Sequence, residues 1–141
     1  MDRRLIEEKL ESLRVCVRRI EVKCPESIHT LLTDPDLQDI VALNITRAVQ
    51  LSVDIASHVV AESERPVPDT MSGVFDVLAA IGVIPNELTV SMKNAVGFRN
   101  IAVHNYQIID WTIVYGICKK RLQDFRAFAI SIVEYMNALH E

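Results

Sequence analysis

Four side chains within eight residues, Arg99, Asn100, His104 and Tyr106, carry the chemistry that this chain offers. A histidine moves protons near neutral pH because its ordinary pKa is about 6.5. A guanidinium holds a phosphate in a planar, bidentate grip. RNA supplies its own nucleophile, the 2′-hydroxyl. Cutting it without a metal needs a base for that proton, an acid for the 5′-leaving oxygen, and positive charge on the phosphorane. His104 suits the first two tasks and Arg99 the third. The segment is short, however, and an arginine five residues before a histidine arises often by chance. The ordinary alternative is an arginine paired with a carboxylate and a histidine capping carbonyls at a helix end.

The elements around the segment decide how it can work. Pro85 opens a helix whose apolar stripe runs Leu88, Met92, Ala95, and the next position on it is Arg99. Arginine on an apolar seam must be paired or stand beside a cleft. On a continuous helix Arg99 and His104 differ by about 140° around the axis, while Asn100 and His104 share a face. Two geometries are open. The helix breaks before His104 and the imidazole swings back, or Arg99 and His104 meet across a symmetric interface. The β-branched and aromatic run after Ala102, with Asp110 as the next cap, predicts a break between about Val103 and Ile109.

The rest of the chain reads as one domain spanning residues 1–141. Half its residues are hydrophobic and only four are glycine, which suits a packed helical protein. Fifteen basic against nineteen acidic residues leave a net charge of −4, so any nucleic-acid contact needs a local basic cleft. Cys16, Cys24 and Cys118 are an odd, sparse set that reads as small reduced hydrophobes. With no secretory signal behind Met-Asp-Arg-Arg and no run of membrane-span length, the expectation is a cytoplasmic protein without a membrane partner.

Apolar stripes set the architecture. Ile6, Leu10, Leu13, Val17, Ile20 and Cys24 form one helical face that ends at Pro25. A polar connection leads to Asp34-Pro35, an N-cap with proline at the first helical position. The second helix, Asp36 to Glu62, has Val41, Ile45, Ala48, Ser52, Ile55 and Val59 on its main face. Beside it, Ile40, Asn44, Arg47, Leu51, Asp54 and His58 alternate between apolar and polar, as a site wall or an ordinary core boundary would. A short helix from about Thr70 to Ile81 ends at Gly82. After Asp110 a last helix carries Val114, Cys118, Leu122, Phe125, Ala129, Ile132, Met136 and Leu139. The fold class is all-α, a bundle of about five helices with apolar surface to spare for a homodimer.

Other constellations are weaker. Asp54 and His58 can pair on a helix face or support the cleft from behind. His29 and His140 have no partners that suggest a site. No Cys/His set has zinc spacing and no glycine-rich loop cradles a nucleotide, so neither metal nor cofactor is expected.

The segment Arg99-Asn100-Ile101-Ala102-Val103-His104-Asn105-Tyr106 resembles the HEPN superfamily, and within it the HepT-like toxins of HepT–MntA toxin–antitoxin pairs. Its pattern is Arg, polar, three residues, His, any residue, Tyr. Leu37-Gln38-Asp39 through Asn44 and Arg47, Asp54-Ile55-Ala56 with His58, and the helix order extend the resemblance over nearly the whole chain. The resemblance implies an all-helical homodimer with facing Arg–His motifs across a cleft. It implies a metal-independent endoribonuclease that cleaves mRNA or tRNA. Arg99 and His104 would then be catalytic, with Asn100, Tyr106 and Asp54 supporting. It further implies neutralisation by an MntA-like nucleotidyltransferase antitoxin that transfers AMP to Tyr106. The alternative is a non-catalytic helical binding subunit of a nucleotidyltransferase complex.

Overall fold

The computed structural model describes residues 2–139, so Met1, His140 and Glu141 lie outside the described residues. Seven α-helices follow in order: α1 (Arg3–Lys23), α2 (Ile28–Thr33), α3 (Pro35–Glu62), α4 (Gly73–Ala80), α5 (Asn86–His104), α6 (Trp111–Gly116) and α7 (Leu122–Ala138). Five of the expected helices are there, the last being α6 and α7 joined by a π turn, Ile117–Arg121. No strand occurs among the described residues.

The central element is α3, which packs against α1, α4, α5 and α7. Its predicted face, Val41, Ile45, Ala48, Ser52, Ile55 and Val59, is buried throughout. Ser52 is accommodated there because its hydroxyl donates to the Ala48 carbonyl at 2.8 Å. By length and composition α3 also meets the requirement for crossing a membrane, contrary to the sequence expectation. Its apolar character is explained by its place at the centre of the bundle, enclosed on several sides.

Helices α1 and α3 run antiparallel. Lys9 reaches Asp54 at 3.6 Å, and Arg47 lies close enough to Cys16 for its charge to act there. On the other side of α1, Arg3 donates to Asn137 at 2.8 Å and Arg126 pairs with Glu21 at 2.7 Å, which fixes α7 antiparallel to it. Phe75 of α4 meets Phe128 of α7 edge to face, with ring centroids 5.8 Å apart and both rings fully buried. Phe128→Ala should therefore cost about 3–5 kcal/mol, read as a lowered midpoint in chemical denaturation. Ile130→Ala, on the exposed side of the same helix, should change it by less than about 0.5 kcal/mol.

The helix ends follow their local chemistry. Asp34 and Asp110 accept from the Leu37 and Thr112 amides at 3.1 and 2.9 Å, as N-caps. Gly82 adopts φ +80° and Val83 N–H bonds back to the Leu78 carbonyl at 2.9 Å, closing α4. Helix α2 was not expected. It has Ser27 as its N-cap and Leu31 as its single buried anchor, too little for periodicity to reveal. The Gln38 amide ties its end to α3 through the Leu31 carbonyl at 2.9 Å. The π turn has a readable cause. The steps Val114–Cys118–Leu122 are both four residues, which drifts on a helix of 3.6 residues per turn, and a wider i→i+5 turn absorbs the drift. All three cysteines are free, and burial beside Cys24 pushes the Cys118 thiol up to about 12.

Candidate active site

Helix α5 runs unbroken through His104 and stops at Asn105, whose backbone (φ −153°, ψ 55°) leaves the helical region. The Asn105 amide satisfies the Ile101 carbonyl at 2.8 Å. The expected break is present, but one residue after His104 rather than before it. The imidazole therefore cannot swing back beside Arg99 within the chain. Arg99 and His104 stay about 140° apart around α5 and about 7.5 Å apart along it.

Arg99 continues the Leu88–Met92–Ala95 stripe and is half-buried. Its Nε is buried without a hydrogen-bond partner, and its Nη1 donates to Asn100 at 3.2 Å. Among the described residues no carboxylate pairs with it. An uncommitted guanidinium on an apolar seam is costly to keep, since a buried unsatisfied donor costs about 1–3 kcal/mol. This departs from the ordinary helix-end arginine, whose charge would be spent on a neighbour. His104 is exposed in the last turn, and Asn100 is exposed on its face one turn earlier.

Beyond Asn105 a 3₁₀ turn, Tyr106–Ile108, brings Tyr106 back over the start of α3. Its hydroxyl donates to Asp39, and its ring meets Trp111 edge to face at 5.8 Å. Desolvation, then the hydrogen bond to Asp39 and its charge, hold the phenol well above its usual range. The phenol is thus a firmly protonated donor, yet 39% of the residue remains exposed. Asp39 and Trp111 were not assigned roles from sequence, although Leu37-Gln38-Asp39 stood out in the resemblance.

Asp54 does not join this group. It accepts from Gln50 at 3.0 Å and pairs with Lys9 of α1. It also lies fifteen residues along α3 from Asp39, about 22 Å. The polar positions Arg47 and Asp54 border the α1–α3 seam instead. Asn44, on the same stripe, is 3% exposed. Its Nδ2 donates to the Ile40 carbonyl at 2.8 Å, while its Oδ1 is buried without a partner.

An all-helical bundle with an unpaired arginine, an exposed histidine and a tyrosine at the end of one helix defines a HEPN-type protein. The ribonuclease HepT-like family model matches residues 8–132, and the chain belongs to that family. It is 32% identical over 124 residues to the mRNA nuclease HepT of Shewanella oneidensis, covering 88% of this chain and 92% of that protein. Among solved structures it is similar to a tri-AMPylated Shewanella oneidensis HEPN toxin in complex with an MNT antitoxin. The TM-score is 0.88 at 31% identity, covering 95% of this chain and 99% of that one. It is also similar to a toxin–antitoxin crystallised with AMP-PNP, with a TM-score of 0.87 at 31% identity, covering 92% and 97%. The cytosolic protein YutE of Bacillus subtilis shares the fold at 14% identity, with a TM-score of 0.85.

Proposed function

We propose that this chain is the toxin of a toxin–antitoxin pair, a metal-independent endoribonuclease that acts on cytoplasmic mRNA or tRNA and is silenced by AMP on Tyr106. The observation that carries the reading is Arg99, held on an apolar seam with no carboxylate to neutralise it. Its fork is available for the scissile phosphate and for the charge that grows on the phosphorane. His104 is the proton carrier. It takes the 2′-hydroxyl proton as oxygen attacks phosphorus and returns a proton to the departing 5′-oxygen, leaving a 2′,3′-cyclic phosphate. Asn100 orients His104 or the phosphate from the same face.

Because α5 is unbroken, one subunit's Arg99 and His104 point apart, and a second copy brings a second His104 to the site. Val90, Asn94, Gly97, Ile101 and His104 recur at four- and three-residue steps along α5, and all are exposed. Such a seam suits a two-fold contact between copies of α5, with Gly97 allowing close approach. Ile101→Asp should then give a monomer by light scattering and lose most cleavage. A dimer of unchanged affinity would place the contact elsewhere.

AMP on Tyr106 adds bulk and negative charge where RNA phosphate must enter. The likeness to a tri-AMPylated toxin bound to its antitoxin supports this control. The test is direct. The purified chain should cut RNA in excess EDTA, leave cyclic-phosphate ends, and stop cutting after incubation with its cognate nucleotidyltransferase and ATP. RNA left intact by the chain alone would favour the non-catalytic binding subunit.

A further inference from the structure

Tyr106 and Asp39 are 67 positions apart, yet the tyrosine hydroxyl donates to the Asp39 carboxylate. We propose that Asp39 is the residue of this chain that aims the Tyr106 oxygen and removes its proton during AMP transfer. The proposal rests on the reading of Tyr106 as the AMP acceptor.

The need for such a group follows from the nucleophile. A neutral phenol attacks phosphorus poorly, and the surroundings of Tyr106 keep its phenol protonated. An adjacent base must take the proton as the bond forms. Asp39 already holds that proton in a hydrogen bond, so no rearrangement is required. The same bond turns the oxygen's lone pairs away from α3. Trp111 fixes the ring edge to face, and the exposure of the residue leaves a path for a nucleotide. In the step itself, the tyrosine oxygen forms a bond to the α-phosphorus of ATP. The bond from that phosphorus to the bridging oxygen breaks and pyrophosphate leaves. The hydroxyl proton passes to the Asp39 carboxylate and on to water.

The full chain, its cognate nucleotidyltransferase and magnesium ATP provide the test, with AMP on Tyr106 followed by intact mass and peptide mapping. Asp39→Asn keeps the shape and an acceptor but cannot take the proton. Its transfer rate should fall about 10²–10⁴-fold and climb with pH from about 6.5 to about 9, as hydroxide replaces the missing base. The wild-type rate should stay nearly flat over that range. Asp39→Glu should recover part of the rate, because it restores a carboxylate. An Asn variant modified at the wild-type rate with the wild-type pH profile would overturn the proposal, as would one modified faster, which would make Asp39 a brake. Equal losses in the Asn and Glu variants, with unchanged pH profiles, would reduce Asp39 to a structural contact. A wild-type chain that takes no AMP at Tyr106 overturns this inference together with the reading beneath it.

Discussion

His104→Ala should lower single-turnover RNA cleavage by about 10⁴-fold and abolish growth inhibition, with the fold unchanged. The size follows from the double duty of the residue. In the proposed symmetric cleft the two copies of His104 would supply both the base for the 2′-hydroxyl and the acid for the 5′-oxygen. One substitution removes both, and each role is worth about 10²–10⁴-fold alone. The fold should be indifferent because the imidazole is exposed in the last turn of α5 and the Ile101 carbonyl is already capped by the Asn105 amide. Arg99→Lys makes a useful companion. It keeps a positive charge but loses the planar fork, so it should recover little of the activity lost in Arg99→Ala. Cleavage that survives undiminished in both the His104 and Arg99 variants would remove the active site from this helix end.

Tyr106→Phe should uncouple the nuclease from its control. With the cognate antitoxin and ATP present, this variant should gain no AMP at position 106 and go on arresting growth, where the wild type is silenced. The substitution removes only the hydroxyl. The ring keeps its edge-to-face contact with Trp111, so the turn should hold its place. The lost bond to Asp39 is exposed to solvent and worth on the order of 1 kcal/mol. Colony counts with and without the antitoxin, beside intact mass of the toxin, read the effect. Silencing of Tyr106→Phe as complete as that of the wild type would show that binding by the antitoxin is enough.

Much of this was legible in the sequence, for reasons that differ between elements. The stripes on α1, α3 and α7 were readable because each is long and faces one core. Asp34, Asp110 and Gly82 were readable because capping is local chemistry. Arg99 declared itself as a charge where the pattern calls for an apolar residue. What escaped was short or non-local. Helix α2 has one buried anchor. The π turn hid in two consecutive four-residue steps that look like ordinary helix. The partnership of Tyr106 with Asp39 joins residues 67 apart, and only the packing of α3 against the end of α5 creates it. Asp54 shares a helical stripe with Arg47 but faces Lys9 on α1, because a stripe fixes direction around one helix and not which neighbour it meets.

The unbroken course of α5 as far as His104, followed by the turn at Tyr106, separates two kinds of work. The residues proposed to cut stand on a rod packed against the core, whereas the proposed AMP acceptor sits on a three-residue bend at the surface. A nucleotide added to the bend gives up the hydrogen bond to Asp39 but displaces no fully buried side chain. The silenced toxin should therefore stay folded and melt within several degrees of the active one. A cell can then keep it as an intact, folded reserve, and restoring its activity would require only cleavage of the phosphodiester to Tyr106, with no new synthesis and no refolding.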